Sequence, residues 1–318
     1  MIDNISVAIA TYNGERYIDK QLESIFSQSK KVDRVIICDD KSTDNTINII
    51  NRFINKGYPI ILYKNNKNLG YGLNFIKCIN LCNSNFIFLS DQDDVWFNNK
   101  VELMINFVKD NPTNLCWMHD CVITNKNLDP LITSKLENIQ KFGFTENSFV
   151  MGACMVISKD TKKYIFPYPT DISYLGHDDW ISQVTRSTGK LKIYKKSLMF
   201  YRRHEKITSK KEFNSIENEN KIISRIKQVI TSKKRNFKNQ EIKLRQLNWS
   251  ILIHNNYINS EYKILKAFRK ETHALAIANQ EKKFFTRFFN ICRLIYRGYY
   301  ENRSGFYSLF LDLFFPKY

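Results

Sequence analysis

The first ninety residues alternate between two hydrophobic patterns, and this alternation restricts the fold more than any other feature of the chain. Short runs rich in β-branched residues predict four strands, at 5–10, 34–39, 59–63 and 85–90. Segments with helical periodicity lie between them and predict three helices, at 15–28, 44–56 and 70–82. Right-handed crossovers between such strands give a mostly parallel sheet covered by helices. We therefore predict an α/β, Rossmann-like fold.

The α/β pattern continues to about residue 215. Apolar runs at 115–124 and 149–158 predict further strands, and 175–189 predicts a helix that begins with acidic residues. Beyond residue 215 the strand signals vanish, and the sequence becomes helical, basic and aromatic. We predict two domains, with residues 1–215 forming the α/β domain and residues 216–318 forming a basic α-helical region.

The positive charge is concentrated in that second region. Residues 216–318 contain 20 Lys and Arg against 8 Asp and Glu, so +12 of the formal net charge of +18 lies there. On a helical wheel, residues 283–297 show a basic arc of Lys283, Arg287, Asn290, Arg293 and Arg297. The opposite arc is apolar and contains Phe284, Phe288, Ile291 and Ile295. Such a helix either lies on an anionic membrane or packs on the α/β domain or a second subunit.

The cellular compartment is predicted from three features. Seven cysteines, an odd number, lie mostly in apolar segments, which is typical of reduced thiols in a cytosolic protein. The first residues lack the basic and apolar regions of a signal peptide, and no run of eighteen apolar residues predicts a membrane span. We expect a cytoplasmic protein that is peripheral on the inner face of the membrane.

Acidic residues follow the fourth predicted strand at once. The apolar run from Phe86 ends in Asp91, Asp93 and Asp94, and three carboxylates at the tip of a buried strand repel one another unless a cation lies among them. Oxygen ligands at this spacing suit Mg²⁺ or Mn²⁺ and leave positions for a diphosphate. Alternatively, Asp93 and Asp94 begin the following helix, and for Asp94 both interpretations stay open.

Polar clusters also follow the first two strands. Thr11 and Tyr12 come after strand one, and Asp39 and Asp40 end strand two. The carboxyl ends of parallel strands are the usual ligand-binding edge of an open sheet, so these clusters should converge. Asp44, in the second cluster, fits the N-terminal cap of the next helix better than a ligand contact.

Seven segments in order then carry a resemblance: SVAIATYNGERYI, CDDKSTDNT, NLGYGLN, SDQDDVW, GACMVIS, HDDW and YRRH. Together they resemble the inverting nucleotide-sugar glycosyltransferases of family 2, which have the GT-A fold. The match covers roughly residues 4 to 210. The segments SDQDDVW, HDDW and YRRH are most similar to the rhamnosyltransferase-like branch, which builds bacterial O-antigen and capsule polysaccharides.

On the donor side, the resemblance implies a site for a UDP- or dTDP-sugar. The nucleotide would contact Ala10, Thr11, Tyr12, Asp39, Asp40, Gly70 and Asp91. Asp40 would accept a hydrogen bond from the imide N–H of the base, and Asp39 would support its loop. Asp93 would be the principal ligand of Mn²⁺ or Mg²⁺, with Asp91 beside it. His204 or Arg202 would assist at the metal and the diphosphate.

On the acceptor side, the resemblance implies that Asp178 is the general base, which takes the proton from the attacking hydroxyl. Asp179 is the alternative, because HDDW offers two adjacent carboxylates and both could also be ordinary acids of a helix N-terminus. Residues expected to contact the acceptor or the sugar are Trp96, Gly152, His177, Trp180 and Arg202. Trp180 could instead be a core anchor.

The predicted function is therefore sugar transfer to a saccharide acceptor, lipid-linked at the cytoplasmic membrane face, in surface polysaccharide synthesis. A homo-oligomer is compatible with the amphipathic tail. Two rivals share some features: a nucleic-acid-binding protein or nuclease, and a metal-dependent nucleotidyltransferase. A nucleic-acid groove would carry Lys and Arg where this chain places acidic clusters. A nucleotidyltransferase would not need the base in HDDW.

Overall fold

A computed structural model gives the fold. It describes residues 4–141, 146–168 and 176–204, together with residues 285, 288, 289, 291, 292 and 295. The predicted basic helical region 216–318 lies outside the described residues except for those six, which are helical. The predicted domain boundary near residue 215 stays a prediction.

Within the described residues, one sheet contains nine strands. They are β1 (Ile5–Thr11), β2 (Arg34–Asp39), β3 (Ile60–Lys64), β4 (Phe86–Ser90), β5 (Val95–Trp96), β6 (Cys116–Thr124), β7 (Pro130–Ile132), β8 (Met155–Ser158) and β9 (Leu191–Arg202). The strand order is β3-β2-β1-β4-β8-β6-β9-β5, and β7 pairs with β6. The strands β3, β2, β1 and β4 are parallel, whereas β8 lies antiparallel to β4 and β6.

Seven α-helices connect these strands in the described part of the chain. They are α1 (Ile18–Phe26), α2 (Thr46–Asn55), α3 (Tyr71–Leu81), α4 (Lys100–Asp110), α5 (Lys135–Lys141), α6 (Lys162–Ile165) and α7 (His177–Ser187). Helix α1 shows why the sequence forms them: Ile18, Leu22 and Ile25 recur at helical spacing, and each is fully buried. The α/β class and the mostly parallel sheet are confirmed.

The long strand β9 matters most for the site. It runs parallel to β6, with Cys116 opposite Leu191, and the register shifts twice before Thr124 meets Arg202. Strand β9 also pairs with the short β5, where Trp96 lies opposite Met199. These pairings place the end of β9 beside the loop that follows β4.

The chain divides into two compact units. The first contains residues 1–135, 151–168 and 173–209, and the second contains 136–150, 169–172 and 210–318. The sheet and the acidic residues belong to the first unit. No helix among the described residues is long and apolar enough to cross a membrane.

Candidate active site

Three parallel strands end side by side at one edge of the sheet. Thr11 at the end of β1 pairs in register with Asp39 at the end of β2. Ile9 of β1 pairs with Ser90 at the end of β4. The loops that follow these strands therefore share one edge, and Ala10, Thr11 and Tyr12 lie between the other two predicted clusters.

Asp39 is buried and fixes the loop that follows β2. Its carboxylate accepts hydrogen bonds from Thr11 Oγ1 at 2.8 Å and from the Ser42 amide and hydroxyl at 2.9 and 2.6 Å. Lys41 within this turn has a φ of 68°, which a non-glycine residue adopts at some cost. These contacts hold the loop between β2 and α2 against the end of β1.

Both carboxylate oxygens of Asp40 accept hydrogen bonds from the segment between β3 and α3. Oδ1 accepts from Asn65 Nδ2 and the Leu69 amide, and Oδ2 accepts from the Gly70 amide, each at 2.8 Å. Gly70 has a φ of 82°, which glycine adopts readily. Asp40 is 2% exposed and holds the loop before α3 in this structure. Its contact with a base imide N–H stays a prediction.

Gln92, which the sequence analysis missed, clamps the backbone of Tyr12. Its side-chain amide accepts from the Tyr12 N–H at 2.9 Å and donates to the Tyr12 carbonyl at 3.0 Å. A Cβ on Gly14 would lie 2.3 Å from Gln92 Oε1, so glycine leaves the space that this side chain needs. The clamp joins the loop after β1 to the acidic loop after β4. The Tyr12 side chain remains 49% exposed.

Asp91, Asp93 and Asp94 form the acidic cluster. Each offers one carboxylate oxygen, and these oxygens lie within 4.8 Å of one another. Burial, followed by the charges of Asp93 and Asp178, raises the pKa of Asp91 to about 7. Burial, followed by the charges of Asp93 and Asp91, raises the pKa of Asp94 well above its ordinary value. Ionising all three carboxyl groups is therefore costly unless a cation lies among them.

The alternative that Asp93 and Asp94 cap the following helix is wrong. Helix α4 begins at Lys100, and its N-cap residue is Asn99. Asp94 is fully buried and its Oδ1 accepts the Arg202 amide of β9 at 3.1 Å. Asp94 thus fastens the acidic loop to the neighbouring strand.

The end of β9 supplies the basic side chains of the cluster. His204 Nε2 lies 2.8 Å from Asp93 Oδ2, and Arg202 Nε donates to the Asp93 carbonyl at 2.8 Å. The Arg202 guanidinium lies 4.7 Å from the Tyr17 ring centroid, and the His204 ring lies 4.9 Å from the same ring. His204 is therefore a partner of Asp93 here, while the group of candidate metal ligands consists of the three carboxylates.

The donor set fits a hard divalent cation. Three carboxylates supply oxygen ligands, as Mg²⁺ and Mn²⁺ require, and Asp94 Oδ2 is buried without a hydrogen-bond partner among the described residues. An unpaired buried carboxylate oxygen costs free energy unless a cation or a proton satisfies it. The identity of the metal stays a prediction.

Asp178 and Asp179 lie in the first turn of helix α7, which begins at His177 after the N-cap residue Gly176. Asp178 Oδ1 accepts the Asp179 amide at 2.9 Å, and a Cβ on Gly176 would lie 2.4 Å from that oxygen. Burial, then the charges of Asp178, Asp179 and Asp91, raises the pKa of the Tyr71 hydroxyl to about 12. The two acids of α7 therefore act on the same region as the acidic cluster, and both are partly exposed.

His177 and Gly152 lie against each other. A Cβ on Gly152 would be 2.4 Å from His177 Nε2, and the His177 ring stacks on Phe75 with centroids 3.9 Å apart. Burial lowers the pKa of His177, so the ring is neutral near pH 7. Neither ring nitrogen has a hydrogen-bond partner within the described structure. A direct contact of these residues with sugar stays a prediction.

Trp96 and Trp180 do not present a face to a sugar in this structure, so the predicted contact needs correction. Trp180 is fully buried and its indole N–H donates to the Ile165 carbonyl at 2.9 Å. Trp96 is 3% exposed and its ring lies 5.9 Å from that of Phe88. Both indoles are therefore core anchors.

Lys100 is the second residue that the sequence analysis missed. It is the first residue of α4 and 1% exposed, and burial lowers its pKa to about 7. The charges of Asp94 and Asp91 act on its ammonium group in the opposite direction. A lysine at the first position of a helix opposes the helix dipole, and this was the available sequence signal.

Comparisons with known proteins now identify the family. The family model for glycosyl transferase family 2 matches residues 6–166. The chain belongs to glycosyl transferase family 2. Among family relatives, the dTDP-rhamnosyl transferase RfbG of Shigella flexneri is 33% identical over 209 residues, covering 62% of this chain and 72% of that protein. WfaP of Escherichia coli, a UDP-Glc:alpha-D-GlcNAc-diphosphoundecaprenol beta-1,3-glucosyltransferase, is 36% identical over 105 residues, covering 33% and 41%.

Solved structures agree with the family 2 assignment at the level of the fold. S. aureus TarS 1-349 in complex with UDP has a TM-score of 0.57 at 14% identity, covering 87% of this chain and 71% of that chain. The mannosyltransferase PcManGT from Pyrobaculum calidifontis, in complex with GDP-Man and Mn²⁺, has a TM-score of 0.52 at 12% identity, covering 98% and 84%. The GT-A fold and the rhamnosyltransferase-like resemblance are confirmed.

Proposed function

We propose that this family 2 glycosyltransferase transfers a sugar with inversion, from UDP-hexose or dTDP-rhamnose to a saccharide acceptor in O-antigen or capsule synthesis. The observation that supports this best is the presence of two acidic sites, the cluster of Asp91, Asp93 and Asp94 after β4 and Asp178 in the first turn of α7. One acidic group can then serve the donor diphosphate while the other serves the acceptor. Inversion by a single displacement needs both, and no covalent intermediate.

Asp91, Asp93 and Asp94 would hold Mn²⁺ or Mg²⁺ at the donor diphosphate. When bound, such a cation neutralises the charge that develops on the leaving diphosphate. The PcManGT structure contains Mn²⁺, which supports a cation of this type. His204, 2.8 Å from Asp93 Oδ2, would orient that carboxylate, and Arg202 fixes the loop through the Asp93 carbonyl.

The nucleobase would lie beside the exposed ring of Tyr12, near Ala10 and Thr11. Asp40 would accept the imide N–H of uracil or thymine through Oδ2, which has a second lone pair besides the one that the Gly70 amide occupies. Gly70 donates its amide to Asp40 and thereby shapes this part of the site. The names of RfbG and WfaP, with dTDP and UDP donors, support a pyrimidine nucleotide.

Asp178 would act as the general base for the acceptor hydroxyl. Its carboxylate is partly exposed at the start of α7, in the electrostatic neighbourhood of Asp91. His177 is adjacent in the chain, and because burial lowers its pKa it would not pair with this carboxylate as an imidazolium. Asp179 is the alternative base on the same helical turn.

The acceptor would be lipid-linked, the class that the name of WfaP describes. The enzyme would then work at the cytoplasmic face of the membrane. Phe285 and Phe289 are 75% and 69% exposed and four residues apart in helical conformation, so they lie on one side of a helix. Ile291 is buried. Exposed phenylalanines in a basic segment support peripheral association with an anionic surface.

The central test is a donor-hydrolysis screen with UDP-, dTDP- and GDP-sugars, in Mn²⁺, in Mg²⁺ and in EDTA. We expect release of sugar from one pyrimidine nucleotide-sugar, dependent on the cation, and strongly reduced in Asp93→Ala. The matched control is Asp160→Ala, because Asp160 is an exposed acid paired with Lys163 at 2.6 Å. Turnover as large as that of the wild type with the cation, in Asp93→Ala and in EDTA, would contradict the proposal.

The membrane proposal has a separate test. The double variant Phe285→Ser, Phe289→Ser should float less with vesicles that contain anionic lipid, with no change for neutral vesicles. Tyr58→Ser, an exposed aromatic residue in the other compact unit, is the control. Unchanged flotation together with a change in subunit number would instead assign this surface to a homo-oligomer.

A further inference from the structure

Two loops of the candidate site are joined by one side chain beyond the point where their strands stop pairing. The last residues that pair β1 with β4 are Ile9 and Ser90. Past them, the side-chain amide of Gln92 binds both backbone groups of Tyr12, accepting from the N–H at 2.9 Å and donating to the carbonyl at 3.0 Å. Because one amide supplies both an acceptor and a donor, the two hydrogen bonds fix the position and the orientation of the Tyr12 backbone together.

The next backbone group of the same loop is held from the other side. The Asn13 amide donates to Ser42 Oγ at 2.9 Å, and the Ser42 hydroxyl in turn donates to Asp39. The N–H and carbonyl of Tyr12 and the N–H of Asn13 are therefore all bound by side chains of the loops after β4 and β2. The Tyr12 ring is 49% exposed, so the ring rather than these backbone groups is what Tyr12 offers to a ligand.

We propose that Gln92 is a positioning residue for the pyrimidine nucleotide, because it holds the Tyr12 loop in the conformation that binds the base. The inference rests on the proposed function, which places the nucleobase beside Tyr12. A loop that is fixed before binding loses less conformational freedom when the ligand arrives, so the clamp favours nucleotide affinity. Both hydrogen bonds are exposed to solvent, so their loss leaves no buried polar group unsatisfied and costs the whole fold little.

The acidic cluster has contacts of its own that do not pass through the clamp. Gln92 lies within the acidic loop, and its amide hydrogen-bonds to Tyr12. Asp93 has His204 as its partner at 2.8 Å, and Asp94 accepts a backbone amide of β9 at 3.1 Å. Removing the clamp should therefore weaken nucleotide binding and leave Mn²⁺ affinity nearly unchanged. A substitution that loosened the whole fold would reduce both.

Gly14 gives an independent way to displace the clamp. A Cβ there would lie 2.3 Å from Gln92 Oε1 and 2.6 Å from Gln92 Cδ, which are atoms at the end of a flexible side chain. The Gly14 backbone is outside the left-handed region, and alanine can also donate its amide to Thr46 Oγ1. Gly14→Ala should therefore move the Gln92 amide away from Tyr12. In a protein that has already lost that amide, the same substitution has nothing to displace.

The test is isothermal titration of UDP and of dTDP, in the presence of Mn²⁺, into the full chain of the wild type, Gln92→Ala, Gly14→Ala and the double variant. For whichever nucleotide binds the wild type more tightly, each single variant should bind about tenfold more weakly, the size expected for two surface hydrogen bonds. Gln92→Met, which keeps the length of the side chain but not its hydrogen bonds, should show the same loss. The double variant should match Gln92→Ala, because both changes remove one contact. Losses that multiply to about a hundredfold would overturn the inference.

Two further measurements separate positioning from a general loosening of the fold. Mn²⁺ affinity without nucleotide and the melting temperature should both stay close to the wild-type values in Gln92→Ala. Gln28→Ala is the matched control, because the Gln28 amide also binds two backbone groups, the Phe97 carbonyl at 2.7 Å and the Val101 amide at 3.0 Å, but is fully buried. It should lower the melting temperature and leave nucleotide affinity unchanged.

The outcomes distinguish this inference from the proposed function. Wild-type nucleotide affinity in Gln92→Ala, or a loss of Mn²⁺ affinity as large as the loss of nucleotide affinity, would overturn the inference alone. A wild type that binds neither UDP nor dTDP would overturn the proposed nucleotide site as well.

Discussion

Replacing Asp91 with asparagine should stabilise the cation-free protein at alkaline pH. Burial and the charges of Asp93 and Asp178 raise the pKa of Asp91 from 3.8 to about 7. A carboxyl group whose pKa is higher in the folded state binds more protons there than in the unfolded chain. Stability is therefore greatest below the unfolded pKa and is lost as the pH rises from 3.8 to about 7. Asparagine cannot ionise and escapes this loss.

The magnitude follows from the size of that shift. Each pKa unit corresponds to about 1.4 kcal/mol, so the difference between 3.8 and about 7 gives an upper figure of about 4 kcal/mol. Asp91 is partly exposed, and solvent screening reduces the effect, so we expect about 2 to 4 kcal/mol at pH 8. The amide of asparagine has nearly the shape of the carboxylate, so packing changes little.

The assay is urea unfolding in EDTA, measured from about pH 5 to pH 8 for the wild type and Asp91→Asn. The free energy of unfolding should fall with rising pH in the wild type, and the profile of the variant should be flatter. Asp160→Asn, at an acid whose side chain is 65% exposed, is the control and should match the wild type. Parallel pH profiles for the wild type and Asp91→Asn would refute the electrostatic reasoning.

Three further substitutions test other parts of the site, and a fourth, Gly57→Ala, is a control. Asp178→Asn should lower kcat by about 100-fold or more without weakening UDP binding, measured by titration calorimetry. Gly152→Ala places a Cβ 2.4 Å from His177 Nε2 and should cost about 1 to 3 kcal/mol in urea unfolding. Gly70→Ala and Gly57→Ala introduce a side chain at φ of 82° and 85°, so each should cost about 1 kcal/mol. Only Gly70→Ala should also weaken UDP binding.

The sequence predicts the first half of the fold closely because its signals there are local. The strand predicted at 34–39 is found as Arg34–Asp39, and the helix predicted at 70–82 is found as Tyr71–Leu81. Periodicity within a segment is enough to define such elements. The predicted strand at 149–158 is shorter, because a 3-10 turn at Gly152–Cys154 brings the backbone close to His177 before β8 begins.

What the sequence does not predict depends on contacts between distant segments. Strand β5 has two residues and exists because it pairs with β9, more than a hundred positions later. Gln92 clamps Tyr12 from eighty residues away, and Lys100 is buried against Ala153 and Met199, which lie far along the chain. Whether Trp180 is buried or exposed likewise depends on which distant residues pack against it. Spacing rules contain none of this information.

The charges around the site also bear on how a donor can approach. Burial and the charges of Asp178, Asp179 and Asp91 raise the pKa of Tyr71, so three carboxylates act on one hydroxyl group. Asp93 and Asp94 add carboxylates to the same region, because the charge of Asp93 raises the pKa of Asp91 and of Asp94. A diphosphate is itself anionic and is repelled there unless positive charge accompanies it. Nucleotide and cation should therefore bind as a pair, and the nucleoside alone, which lacks the phosphates, should not need the cation.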